Sequence, residues 1–148
     1  MNLNVYLAGE IHTDWRKEVE EACAGLSITF TAPVTNHGNS DDCGVAILGA
    51  EPDKFWHDRK GAAMNAIRTR KAISDADVVV VRFGDKYKQW NAAFDAGQAY
   101  ALGKSVIVLQ PPEHDHALKE VDAAALAVCR TSEQVAQTLR YVLTGTLP

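Results

Sequence analysis

The chain has 148 residues, 47% of them apolar and 23% charged, with a formal net charge of -4. This suits one soluble globular domain that can bury a core unaided, and it lacks the basic balance expected of a nucleic-acid partner. No stretch approaches the roughly 18 apolar residues of a membrane span, and the opening Met1-Asn-Leu-Asn4 lacks the regions of a signal peptide.

The three cysteines (Cys23, Cys43 and Cys129) are odd in number and far apart, so neither a disulfide framework nor a Cys-rich zinc site is expected. A reduced, cytoplasmic setting follows as the expectation. Asn2 to Ala8 reads as a buried strand stopped by Gly9. Asp14 is placed to cap a helix whose apolar face carries Val19, Ala22, Cys23 and Leu26. Ser27 to Ala32 is a second strand, halted by Pro33.

The stretch from Pro33 to about His57 is rich in Asn, Asp and Gly and breaks the alternation of strand and helix. It reads as a long loop, a covering lid or a subunit contact on the rim where the strands end. Asp41-Asp42 within it could bind a cation but are expected in turns. Helical spacing resumes at Ala62 to Ile73, and Asp75 and Asp77 read as caps.

Val78 to Val81 and Val106 to Leu109 are continuous apolar runs, the signature of strands covered on both faces. Between them Gln89 to Lys104 reads as a helix carrying Asp95 about one turn from its start. His114-Asp-His116 has the alternation of a metal pair but no third ligand, and reads as a polar loop; no metal or cofactor is expected. Ala124 to Cys129 is a weaker fifth strand, and Thr131 with Gln134 resembles a capping pair before a last helix. The alternation predicts a single domain over residues 1–148: a three-layer α/β sandwich with a five-stranded parallel sheet in flavodoxin-like order.

Ligands of such sheets bind where strands end and helices begin. That rim gathers the turn after the first strand (Tyr6, Gly9, Glu10, His12, Trp15, Arg16), the Pro33–His57 stretch and the start of the Asn91 helix. By spacing alone Asp95 is either an acid that complements the helix dipole, the commoner case, or the reacting group of a site. A carboxylate kept ionised by the helix start suits nucleophilic attack at an anomeric carbon. Trp15, Trp56 and Trp90 are candidates to stack on a base or sugar, and Arg16 with Arg68 to grip a phosphate, the alternative for Arg68 and Arg70 being the solvated face of their helix. A Gly-rich dinucleotide fingerprint is missing after the first strand, which disfavours a flavin-type relative.

Tyr6-Leu-Ala-Gly9 resembles the opening motif of nucleoside 2-deoxyribosyltransferases, and Ala76-Asp-Val-Val-Val80, Phe94-Asp-Ala-Gly97 and Ala101-Leu-Gly-Lys104 resemble that superfamily's strand and nucleophile helix. Trp15-Arg16, the Asn36-His-Gly region, Ala66-Ile-Arg-Thr69 and Gln89-Trp-Asn-Ala-Ala-Phe-Asp95 are similar to its YtoQ family, over nearly the whole chain. The resemblance implies a nucleoside or nucleotide ligand, N-glycosidic chemistry of the transferase or hydrolase kind, and a homo-oligomer. It places Asp95 where the superfamily has its catalytic Glu, Tyr6 beside it, and Gly9 in the pocket turn.

Trp15, Arg16, His37, Asn65, Arg68, Trp90 and Asn91 complete the expected substrate-binding set. Asp95 is one methylene shorter than Glu, and the two acids that transferases carry elsewhere fall at Gln89 and near Thr69. The alternative expectation is therefore a nucleotide-binding or sensing domain that keeps the pocket without turnover.

Overall fold

The apolar runs Val78–Arg82 (β3) and Ser105–Leu109 (β4) pair in parallel near the middle of the sheet, with Val80 opposite Ile107. In the computed structural model, which describes residues 1–86 and 89–148, Leu3–Gly9 (β1) lies on the other side of β3, and Val5 faces Val78. Ile28–Thr31 (β2) and Ala127–Cys129 (β5) close the edges, giving the all-parallel order β2-β1-β3-β4-β5. This is the expected flavodoxin-like order, and its switch point lies between β1 and β3.

Because side chains alternate along a strand, β1 feeds both layers. Leu3, Val5 and Leu7 pack with Trp15 and Val19 of Trp15–Ala22 (α1) and with Val135 and Leu139 of Ser132–Thr144 (α6). Tyr6 and Ala8 face Ile73 of Lys54–Asp75 (α3) and Ala92, Ala96 and Ala99 of Trp90–Ala101 (α4). Helices thus cover both faces.

The Pro33–His57 stretch is not a loop. His37–Leu48 forms a helix (α2), with the Asn36 side chain accepting from the Asn39 N–H at 2.9 Å, and α3 begins at Lys54, capped by Asp53. It escapes periodicity because Gly44 is its one fully buried residue, set against Gly61 of α3. A Cβ on Gly44 would lie 2.4 Å from the Gly61 nitrogen, so the two helices meet backbone to backbone. Gly44→Ala is therefore expected to push α2 off α3 and lower unfolding free energy by about 1–3 kcal/mol, read by denaturant titration.

Other local expectations change too. Asp41 and Asp42 are helical, and Asp42 pairs with His57 at 3.1 Å. Asp14 occupies the first cap but makes no side-chain cap bond. Asp77 accepts the Asn4 N–H at 2.8 Å, tying β1 to β3 rather than capping a helix, while Asp75 pairs with Lys71. The fifth strand is shorter than expected: Ala124 ends a short helix, Lys119–Ala124 (α5), Ala125 is extended, and β5 begins at Ala127. Thr131 caps α6 as expected, accepting from the Gln134 N–H at 3.1 Å. Among the described residues no helix is long and apolar enough to cross a membrane.

Candidate active site

At the carboxyl end of β1 the chain must leave the sheet beside β3. Gly9 permits this: its φ is 96°, and a Cβ there would stand 2.2 Å from the Arg82 carbonyl oxygen. The following turn is held from behind. Trp15 Nε1 donates to the Glu10 carbonyl at 2.9 Å, and the Arg16 guanidinium donates to the carbonyls of Leu7 (2.9 Å), Glu10 (2.6 Å) and Gly9 (3.0 Å). The Glu10 carboxylate accepts from the His12 N–H, from Thr13 Oγ1 at 2.6 Å and from Arg82 Nε at 3.2 Å. Burial alone would raise its pKa, but these donors outweigh it and hold the carboxyl below the ordinary range.

The turn forms one part of a cavity of ≈ 430 Å³, whose lining includes Tyr6, Gly9, Glu10, His12, Pro33, His37, Thr69, Gln89, Asn91 and Asp95. A second hollow adjoins it, sharing Ser40, Thr69, Asn91 and Asp95 and adding Asn65, Arg70 and Phe94. Asp95, on the second turn of α4, stands between the two.

Burial pushes the Asp95 carboxyl up to about 6. The expectation of a carboxylate held ionised by the helix start therefore needs correction: burial dominates, and no ion pair with a described residue offsets it. The Tyr6 side chain is 1% exposed, and its hydroxyl has no hydrogen-bond partner among the described residues. Burial raises the Tyr6 phenol, and the charge of Asp95 adds to that, while the Thr69 side chain beside it pulls the other way. A buried hydroxyl of this kind is costly unless something fills its bond, and here it borders a cavity that would admit a polar ligand.

His12 and His37 stack at the cavity, ring centroids 5.0 Å apart, with Nε2 of His37 3.4 Å from Nδ1 of His12. Asp41 Oδ2 lies 3.7 Å from His37 Nδ1. Neither Gln89 nor Thr69 offers an acid. The Gln89 amide is engaged with the loop, accepting from the Gly84 N–H at 3.0 Å and donating to the Lys86 carbonyl at 2.9 Å.

The fold thus brings together Tyr6, Gly9, His37, Asn91 and Asp95, and sets Asn65 in the adjoining hollow, its amide donating to the Ser40 carbonyl at 2.8 Å. Four expected ligand residues lie elsewhere. Trp15 is 1% exposed and Arg16 8%; both brace the turn, so neither is open to stack on a base or grip a phosphate. Burial pulls Arg16 down to about 10, still charged at neutrality. Arg68 is exposed on α3 and lines neither hollow, though its charge reaches Tyr6, whereas Arg70 lines the second hollow. Trp90 is 73% exposed and borders a different hollow, beside Phe83 and His114, because it opens α4 rather than facing into the sheet.

The three-tryptophan stacking set and the Arg16–Arg68 basic cluster do not form; Trp56 too is exposed, edge-on to Phe55. Ser40, inside the stretch expected to be a loop, also lines the cavity, and so do His12, expected on this rim, and Thr69. His114 bonds the Gly84 carbonyl at 3.1 Å, and Asp115 pairs with Arg130 at 2.6 Å. Tyr87 and Lys88, next to the cavity residue Gln89, lie outside the described residues.

Known proteins share this architecture. Residues 6–143 match the family described as nucleoside 2-deoxyribosyltransferase YtoQ. The uncharacterised YtoQ of Bacillus subtilis (strain 168) is 42% identical over 144 residues, covering 96% of this chain and 97% of that protein. A solved 2-deoxyribosyltransferase from Bacillus psychrosaccharolyticus aligns with a TM-score of 0.58 at 21% identity, over 90% of each chain. A conserved protein from Enterococcus faecalis V583 gives 0.65 at 15%, covering 97% of this chain and 100% of that one. The CMP N-glycosidase BcmB of Clostridium botulinum gives 0.53 at 14%, over 95% and 99%. At such identities the solved structures establish a common fold. The chain belongs to the YtoQ family.

Proposed function

From membership of the YtoQ family we propose that this protein cleaves the N-glycosidic bond of nucleosides, with Asp95 as the attacking carboxylate and Tyr6 beside it. One observation carries the reading: Asp95 and the unpartnered Tyr6 hydroxyl line the same cavity, at the carboxyl ends of the strands. The carboxylate would attack C1′ through an oxocarbenium-like transition state, and water or a second base would then take the sugar. The relatives that act on such compounds, a 2-deoxyribosyltransferase and a CMP N-glycosidase, share the fold and support the substrate class. Gly9 shapes the sugar end; His37, Asn91 and, from the adjoining hollow, Asn65 complete the binding set. The test is chromatographic detection of free base from a panel of nucleosides.

The first cavity favours a ligand without phosphate: its described lining holds two carboxylates, Glu10 and Asp95, and neither Lys nor Arg, while Lys54 and Arg70 line the adjoining hollow. Nucleosides are accordingly expected to raise the melting temperature more than their 5′-monophosphates at equal concentration, because only ligands that bind the folded state shift it. A larger shift with the monophosphate contradicts this. Apolar Ile67 and Phe94, exposed on α3 and α4, suit the homo-oligomer that the family resemblance implies; light scattering measures it.

The nucleophile must be ionised, so protonation of Asp95 removes activity. With its carboxyl at about 6, kcat/KM is expected to fall tenfold per pH unit below that point. A rate that stays flat down to pH 4.5, where an ordinary carboxylate is still ionised, rules out Asp95 as the base-form nucleophile. The short reach of Asp supports one other reading, a binding or sensing domain. That version predicts nucleoside binding without base release and indifference of binding to Asp95→Asn.

A further inference from the structure

Departure of a nucleobase as an anion is slow, so an N-glycosidic site needs a proton donor as well as a nucleophile. The titratable side chains described at the cavity are Tyr6, Glu10, His12, His37 and Asp95. Asp95 is the attacking group. Glu10 is fully engaged by the His12 N–H, Thr13 and Arg82 and stays ionised, with no proton to give. The Tyr6 phenol is raised by burial, which makes it a weaker acid still. Gln89 and Thr69 carry no dissociable proton. The two histidines remain.

Resting on the nucleoside-cleavage reading above, we propose that the stacked His12–His37 pair is the proton donor to the leaving base. The rings come from separate elements, the turn after β1 and the first residue of α2, and meet only in the fold. With 3.4 Å between His37 Nε2 and His12 Nδ1, one proton can be shared between them. Asp41 stands behind His37, its Oδ2 3.7 Å from Nδ1, and Glu10 accepts the backbone N–H of His12. Histidine is the side chain suited to giving up a proton near neutrality.

The steps balance. An Asp95 oxygen bonds C1′ as the C1′–N bond breaks; that electron pair stays on the base nitrogen, which takes the proton of the pair. Water then bonds C1′ as the ester C–O bond breaks, Asp95 leaves as carboxylate, and the proton of the water returns to the histidines. The sum is nucleoside plus water giving sugar plus base.

The experiment compares two leaving groups on one sugar: a natural nucleoside, which needs the proton, and its 4-nitrophenyl glycoside, which does not. The double variant His12→Gln/His37→Gln, both positions exposed, is expected to lose roughly 10²- to 10⁴-fold in kcat on the nucleoside and less than about tenfold on the nitrophenyl glycoside. Added imidazole should restore part of the nucleoside rate. Equal losses on both substrates, or an unchanged nucleoside rate, overturn the assignment. Asp95→Asn run alongside should lose both activities; if it keeps them, the underlying function reading fails, independently of the histidines.

Discussion

Asp95→Asn is expected to abolish base release, by at least about 10³-fold in kcat, the scale on which loss of a covalent nucleophile acts. The amide keeps the shape of the side chain but cannot form the glycosyl ester. Unfolding does not explain such a loss, because the sign of the Asp95 shift runs the other way. Its carboxyl rises from 3.8 to about 6 on folding, so below 3.8 the group is neutral in both states and above 6 it is ionised in both. Above that window the folded state bears a buried charge that no described cation neutralises. Asparagine removes the penalty, so the variant should melt at or above the temperature of the parent at pH 7.5. A variant that stays active sinks the nucleophile assignment, and one that melts lower contradicts the account of its burial.

Arg16→Met is expected to lower unfolding free energy by about 3–5 kcal/mol: three hydrogen bonds from a charged donor, roughly 1.5–3 kcal/mol each, are lost, and removing the buried guanidinium's desolvation cost offsets part of that. They fall on the carbonyls of Leu7, Gly9 and Glu10, which define how β1 ends. The guanidinium also stacks over the Trp15 ring at 4.7 Å, so its removal loosens the apolar backing of the same turn. Arg16→Lys should be nearly as damaging, because one ammonium cannot span the spread that the planar guanidinium covers. Binding of nucleoside and monophosphate should weaken together. Calorimetry that shows an intact fold with loss of monophosphate affinity alone would instead restore Arg16 as a phosphate ligand.

What the amino-acid order discloses depends on how local each interaction is. The valine runs of β3 and β4 could be read directly, since strands covered on both faces must be apolar at every position. Asp95 was legible because helix α4 sits between them, so its rim is fixed by topology. Helix α2 was not: it packs through Gly44 against Gly61, and a glycine seam leaves no apolar period to detect. Trp15 and Arg16 were misassigned because Gly9, at φ 96°, turns the chain so that both side chains point back at it. An arginine near a rim and an arginine clamping that rim look alike until the direction of the turn is known. The His12–His37 stack likewise required the fold, since it joins residues that share no element.

The claim beneath all of this is that a sugar becomes bonded to Asp95 during turnover. Brief incubation with a nucleoside bearing fluorine at C2′, which slows breakdown of the ester, followed by acid quench and mass spectrometry, addresses it most directly. The account predicts protein heavier by one sugar, with the added mass on the peptide that contains Asp95. Base released while that peptide stays unmodified, or the sugar found on another residue, contradicts it.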